Sequence, residues 1–272
     1  MNAFRQLLKS AGSHPPVGSW LMGCSPLAAE AMGHAGFDWL VLDTEHSPAG
    51  TMEVLQMLQA VGCTRAVPVV RVAANDAVLV KRVLDTGATT LMVPMVQNAD
   101  EARRAVAATR YPPAGVRGMA GMSRASRFGT AAHYLQQADA GIAVIVQLET
   151  PAALQALEAI AEVDGVDALF VGPADLSGSM GHAGEPMHAQ VLQSMADAAQ
   201  RARDGGKPIG TIGNTPQQVA QYRAMGYDFV AVASDLGLLM QGARAALAAL
   251  RTQDGAGLVH TLDDGTRQRE AG

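Results

Sequence analysis

The sequence predicts a single closed α/β barrel of eight parallel strands. Three observations carry that expectation. The 272 residues suit one barrel-sized core. Eight short runs rich in Val, Ile and Leu recur, each bounded by Gly, Pro or Asp and followed by a stretch of helical period. The rival, an open doubly wound sheet, lacks its GxGxxG fingerprint after a first strand.

The elements follow in order. "MNAFRQLLKSAGSHPP" has the pattern of an amphipathic helix, without the apolar core and small-residue cleavage site of a signal peptide. Strands are expected at 16–23 (PVGSWLMG), 39–45 (WLVLDTE), 67–73 (VPVVRVA), 89–96 (TTLMVPMV), 143–149 (AVIVQLE), 168–174 (ALFVGPA), 207–213 (KPIGTIG) and 228–234 (DFVAVAS). Between them, "AVLVKRVLDTG" reads as a helix closed by Gly87, "NADEARRAVAATRYPP" as one opened by an Asx residue with acids in its first turn, and "TPAALQALEAIAEV" as one with Pro151 at its start. This is the (β/α)8, or TIM-barrel, alternation, over residues 1–251 as one domain.

Two segments stand outside the pattern. Residues 112–129, "PPAGVRGMAGMSRASRFG", form a long Gly-rich connection carrying Arg117, Arg124 and Arg127. It is expected to leave from the rim where barrels keep their chemistry, as a lid or subunit contact rather than as disorder. Residues 252–272 are polar and Gly-rich and read as a loosely ordered tail.

Composition narrows the function. Hydrophobic residues at 49% and charged ones at 17% exclude a disordered or fibrous chain. A net charge of −5, with no basic stripe, argues against nucleic acid as a partner. No apolar run is long enough to span a bilayer. Two cysteines, Cys24 and Cys63, are too few for a disulfide framework, which suits a reducing cytoplasm, and each reads as a small buried hydrophobe.

In a parallel barrel all strands finish at one rim, so strand-end residues distant in sequence meet there. The second strand ends in Glu45 and His46, the third carries Arg71, the fifth ends with Gln147 and Glu149, and the sixth runs into Asp175. Neighbouring strands lie about 4.8 Å apart, so Glu149 and Asp175 could share one hard divalent cation. Alternatively Asp175 is an N-cap and Glu149 a first-turn acid. With Gln147 on the same strand face, the pair favours a metal. A carbon–carbon lyase of this fold needs a Schiff-base lysine or a metal, and Lys9, Lys81 and Lys207 are all misplaced for the first route.

His46 suits a general base, because histidine is the side-chain type whose unperturbed pKa, about 6.5, lies nearest working pH. His34, His133, His182, His188 and His260 read as surface or satisfied residues. Asp43 and Glu45 read as groups that orient His46 or the rim waters. Arg71, at the end of an apolar strand, needs an anion: a structural carboxylate or a substrate oxyanion.

The motifs "GFDWLVLDTEHSP", "PVVRVAANDAVLVKRVLDTGATTLMVPMVQNADEARRAV", "RYPPAGVRGM", "VQLETPAAL" and "VDALFVGPADLSGSMG" together closely resemble the HpcH/HpaI-type class II pyruvate aldolases, from about residue 3 to residue 250. The resemblance implies a (β/α)8 barrel whose eighth helix is exchanged between subunits of a hexamer, a dimer of trimers. It implies Glu149 and Asp175 as ligands of one Mg²⁺, Mn²⁺ or Co²⁺. Gln147 and the backbone N–H of Ala174 would hold pyruvate, His46 would be the base, Arg71 the stabiliser of transition-state charge, and Asp85 the carboxylate that raises the basicity of the histidine. The reaction implied is reversible cleavage of 4-hydroxy-2-oxo acids to pyruvate and an aldehyde through a metal-stabilised pyruvate enolate. The chain departs from the family's commoner "RGVGSALARASRW" and "DGEH" with "RGMAGMSRASRFG" and "DTEH", both expected at the aldehyde end. Two alternatives remain: a lyase for another 2-oxo acid or a malyl-type thioester, and a non-catalytic binding barrel.

Overall fold

A computed structural model describes residues 2–12 and 14–253. The elements run α1 (Ala3–Ser10), β1 (Val17–Leu21), α2 (Pro26–His34), β2 (Trp39–Asp43), α3 (Thr51–Val61), β3 (Val67–Arg71), α4 (Ala77–Asp85), β4 (Thr90–Val93), α5 (Ala99–Thr109), α6 (Tyr134–Gly141), β5 (Ala143–Leu148), α7 (Pro151–Gln155), α8 (Leu157–Ala161), β6 (Ala168–Val171), α9 (Pro173–Ser179), α10 (Ala189–Asp204), β7 (Ile209–Gly213), α11 (Pro216–Met225), β8 (Phe229–Ser234) and α12 (Asp235–Gln253). The strands pair in sequence order, all parallel, and β8 closes on β1. All eight expected strands form, each shorter than expected. The helix expected from Pro151 divides at Ala156 into α7 and α8, which nothing in the sequence explains.

Helix starts obey capping chemistry. Ser25, Thr150 and Thr215 accept backbone N–H groups of the turns they open, each followed by Pro at the first helical position, and Asp76 and Asn98 cap α4 and α5.

Two apolar layers form. The larger lies between the sheet and the helices; the smaller fills the barrel with Phe4, Trp20, Trp39, Phe170 and Phe229. Phe170 and Phe229 sit 6.0 Å apart, and Phe4 meets Phe229 edge-on at 5.3 Å. Glycines make room for these rings: a Cβ on Gly18 would stand 2.4 Å from the Trp39 ring, and one on Gly210 2.3 Å from Phe229. Phe4 belongs to α1, which closes the end of the barrel where the strands begin. Asn2 Nδ2 donates to the carbonyls of Thr89 (2.8 Å) and Gly141 (2.9 Å), and Arg5 pairs with Asp167 at 2.6 Å.

Three expectations change. Residues 112–129 follow α5, which runs back from the chemical rim, so they lie at the opposite one. Ala125 N–H donates to Asp85 O and Arg124 Nη1 to Thr86 O, both at the foot of β4. Cys63 is exposed in the turn after α3 and Cys24 is half-buried, so neither is a core residue. Helix α12 runs to Gln253, past the expected start of the tail; residues 254–272 lie outside the described residues.

Met1–Leu236 form one compact unit, and a second begins at Gly237. Within the second, Leu239, Met240, Leu247 and Leu250 of α12 are exposed. Among the described residues no helix is long and apolar enough to cross a membrane.

Candidate active site at the carboxyl rim of the barrel

Strand alternation aims the site inward. Side chains two apart share a face, so the inner-face series Trp39, Val41 on β2 continues to Asp43, Val69 on β3 continues to Arg71, and Ile145 on β5 continues to Gln147 and then Glu149. Register places Asp43 beside Arg71, and Gln147 beside Phe170.

Asp43, fully buried, takes the Arg71 guanidinium in a two-pronged pair, Nε to Oδ1 at 2.8 Å and Nη2 to Oδ2 at 2.7 Å. Nη1 lies 2.8 Å from Glu45 Oε2, an ion pair without hydrogen-bond alignment. The Trp20 ring sits 5.6 Å from the guanidinium carbon. Burial pulls the Arg71 pKa down, but the bonds and charge of Asp43, with Glu45 and Glu149, outweigh it and hold the group charged. Structural carboxylates therefore supply the anion Arg71 needs. Asp43 orients Arg71 rather than His46.

Strand β2 ends at Asp43, so Glu45 and His46 belong to the bend that follows. His46 is 58% exposed, and its Nε2 lies 3.9 Å from Glu45 Oε1. Glu45 thus stands between the imidazole and Arg71, and burial raises its pKa. Thr44, the residue that departs from "DGEH", donates its hydroxyl to Arg71 O at 2.7 Å and so pins the end of β2 to β3.

Glu149 is 2% exposed and directly precedes Thr150, the cap of α7, so it is not a first-turn acid. Its Oε2 accepts from Met95 N–H at 2.8 Å and its Oε1 from Gln147 Nε2 at 3.1 Å. Burial, opposed by the Met95 bond and reinforced by the charges of Glu45 and Asp175, pushes its pKa up to about 7. Asp175 is exposed in the first turn of α9, whose cap is Gly172, so it is not an N-cap; Ala174 precedes it in the same turn, where backbone N–H groups have no partner within the helix.

Sequence reasoning missed two contributors. Met95 holds φ at +54°, a conformation costing about 1 kcal/mol or more for a side chain of this size, and its N–H meets Glu149. Gly172, two residues past Phe170 on the inner face, lies where a Cβ would stand 2.5 Å from Glu149 Oε1. Its φ of −88° suits any residue, so only space requires glycine. The inner-face period could have flagged Gly172; nothing in the sequence marks Met95.

Asp85 is not part of this cluster within one chain. It ends α4 at the foot of the barrel, and its Oδ1 accepts from Arg117 Nη2 at 3.0 Å. Arg117 is fully buried and stacks at 4.5 Å on Tyr111, whose pKa burial raises to about 12 against the opposing Arg117 charge. Lys207, at the same foot, donates to Val166 O, which removes it further from Schiff-base chemistry.

The rim therefore gathers Asp43, Glu45, Glu149 and Asp175 against one guanidinium and one exposed imidazole. A buried carboxylate whose protonation is favoured by its acidic neighbours is what a divalent cation would relieve, and the oxygen donors suit a hard ion. The residues fit the implied metal. Because a proton competes for Glu149, cation affinity is expected to fall as pH drops through about 7 and to be retained above it, measurable by calorimetric titration at pH 6 and 8. Gly172→Ala is expected to weaken cation binding about tenfold or more by displacing Glu149, while urea unfolding shifts by less than about 2 kcal/mol.

Residues 17–242 match the family model described as HpcH/HpaI aldolase/citrate lyase. A 2-dehydro-3,6-dideoxy-6-sulfogluconate aldolase of Pseudomonas putida is 52% identical over 236 residues, covering 87% of this chain and 92% of the relative. A 4-hydroxy-2-oxo-heptane-1,7-dioate aldolase of Klebsiella pneumoniae is 49% identical over 245 residues, covering 90% and 92%. The crystal structure of an HpcH/HpaI aldolase/citrate lyase family protein from Burkholderia cenocepacia superposes with a TM-score of 0.88 at 42% identity, covering 92% of this chain and 100% of that one. This chain belongs to the HpcH/HpaI aldolase/citrate lyase family.

Proposed function

We propose that the protein is a class II pyruvate aldolase, which reversibly cleaves 4-hydroxy-2-oxo acids to pyruvate and an aldehyde. The observation that carries this reading is Glu149, a buried carboxylate held by Met95 N–H and Gln147 beside two further acids and facing Arg71. Glu149 and Asp175 would hold one Mg²⁺, Mn²⁺ or Co²⁺. When bound, the ion supplies Lewis-acid polarisation of the 2-oxo group.

The protein's own residues do the rest. Gln147 and the Ala174 N–H orient the 2-oxo acid. His46, exposed at the mouth, takes the C4 hydroxyl proton; the electrons of the C3–C4 bond pass to C3, the aldehyde leaves, and C3 is then protonated to the methyl group of pyruvate. Arg71, locked by Asp43, faces the oxygen on which negative charge develops. The two named relatives both act on 2-oxo acids carrying a second acidic group at the far end, a sulfonate or a carboxylate, which makes an acidic aldehyde the first acceptor to offer. Proton exchange of the pyruvate methyl group with D2O, followed by NMR, tests the reading: it is expected to need added cation and to be lost in His46→Ala. Exchange untouched by a chelator would overturn it.

We further propose a hexamer of two trimers in which α12 packs on a second copy; its exposed leucines support this. Asp85 would then act on His46 of another copy, since within one chain it sits at the far rim. Mixing His46→Ala with Asp85→Ala subunits is expected to restore part of the activity that neither variant shows alone. The low cysteine content supports a cytoplasmic location.

A further inference from the structure

The loop between α9 and α10 brings three donors together outside the barrel mouth. One ligand atom each of His182, Glu185 and His188 lies within 4.8 Å of the others. Successive turns build the arrangement: His182 N–H donates to Ser177 O at 2.7 Å, Glu185 N–H to His182 O at 2.9 Å, and His188 N–H to Glu185 O at 2.9 Å. Gly181 and Gly184, at φ +85° and +80°, allow the chain to turn so tightly.

We infer that His182, Glu185 and His188 form a second, separate cation site, for a borderline divalent ion of the zinc, nickel and cobalt class. Two imidazoles and one carboxylate, with a coordination position left to water, are the donor set such ions prefer, whereas the all-oxygen mouth suits a hard ion. The surroundings support it. Gln190 Oε1 lies 2.7 Å from His182 Nε2 and accepts its proton, which leaves Nδ1 with the free lone pair. An outer partner that fixes the tautomer in this way is the usual companion of a ligating histidine. Both imidazoles are half-buried and stacked on each other.

The ion must reorganise the rings. They lie face to face, with centroids 3.5 Å apart and planes 17° from parallel, and no single ion can sit in both planes at once. Binding splays them and exchanges the long 3.3 Å contact that His188 Nδ1 accepts from Gln190 N–H, the contact by which His188 caps α10. Glu185, exposed, swings in to complete the set.

Equilibrium dialysis of the full chain against Zn²⁺, in excess Mg²⁺ to keep the mouth filled, tests the inference by metal content per chain. One Zn²⁺ per chain is expected. Affinity should fall at least about tenfold in His182→Ala, in His188→Asn, which keeps an N-cap acceptor, and in Gln190→Ala. Uptake should persist in Glu149→Gln, which alters only the mouth, so failure here is distinguishable from failure of the aldolase reading. Circular dichroism and Mg²⁺-supported proton exchange of pyruvate should be unchanged in the two histidine variants. Zn²⁺ uptake that survives both histidine replacements, that vanishes in Glu149→Gln, or that is absent from the unaltered chain would overturn the second site.

Discussion

Glu149→Gln is expected to slow pyruvate release from a 4-hydroxy-2-oxo acid by about 10³-fold, ~4 kcal/mol of transition-state stabilisation. The same variant is expected to be more stable than the unaltered protein when a chelator is present at pH 8. The sign follows from the raised pKa. Unfolded, Glu149 titrates at its ordinary value; folded, it titrates at about 7. Below the unfolded value both states are protonated and the group contributes nothing. As pH rises from there through about 7 the folded state alone keeps the proton, so stability falls, and above that range the full loss is present. Glutamine cannot ionise, and its side-chain carbonyl can still accept from Met95 N–H, so about 1–3 kcal/mol is regained. Added Mg²⁺ should reverse the order, stabilising only the unaltered protein. Urea unfolding with chelator and with Mg²⁺ gives all four values; a variant less stable than its parent under chelation would sink the account of a strained, cation-seeking carboxylate.

Arg71→Ala is expected to destabilise the fold by about 3–5 kcal/mol, because it strands the fully buried Asp43 beside Glu45 and Glu149. Arg71→Lys should recover only part of this, since an ammonium cannot match the two-pronged contact. The decisive comparison is Arg71→Ala with Asp43→Asn. Removing the second charge should make the double variant more stable than Arg71→Ala alone, a coupling that urea unfolding can measure. If the two losses simply add, the pair is not the element that holds the mouth. Both Arg71 variants should lack pyruvate proton exchange even where folded.

The barrel and most of its mouth were legible in the sequence because both depend on local rules. Strand runs have a period of two, their ends are marked by Gly and Pro, and in a parallel barrel the ends converge. Gln147, Glu149 and Arg71 could be placed on that basis. Pairing across strands is not local. That Asp43 faces Arg71, not His46, depends on β2–β3 register, which no single segment encodes. The composition of residues 112–129 marks a long loop but not its rim, which is set by the helix before it: Ala99–Thr109 carries the chain back to the foot of the barrel. The same reversal puts Asp85, the last residue of α4, at that end. Met95 contributes through backbone geometry alone, so side-chain chemistry gave no sign of it.

The seal that α1 forms at the foot of the barrel bears on the order in which the chain can mature during synthesis. Asn2 waits for the carbonyl of Gly141, Arg5 for Asp167, and Phe4 for Phe229. Residues of α1 precede every strand yet are among the last to find their partners, and until β8 has emerged the inner ring cluster lacks one wall. A helix with so long a wait must stay soluble in the interval, and the polar face of α1, with Gln6, Lys9 and Ser10, suits it to that.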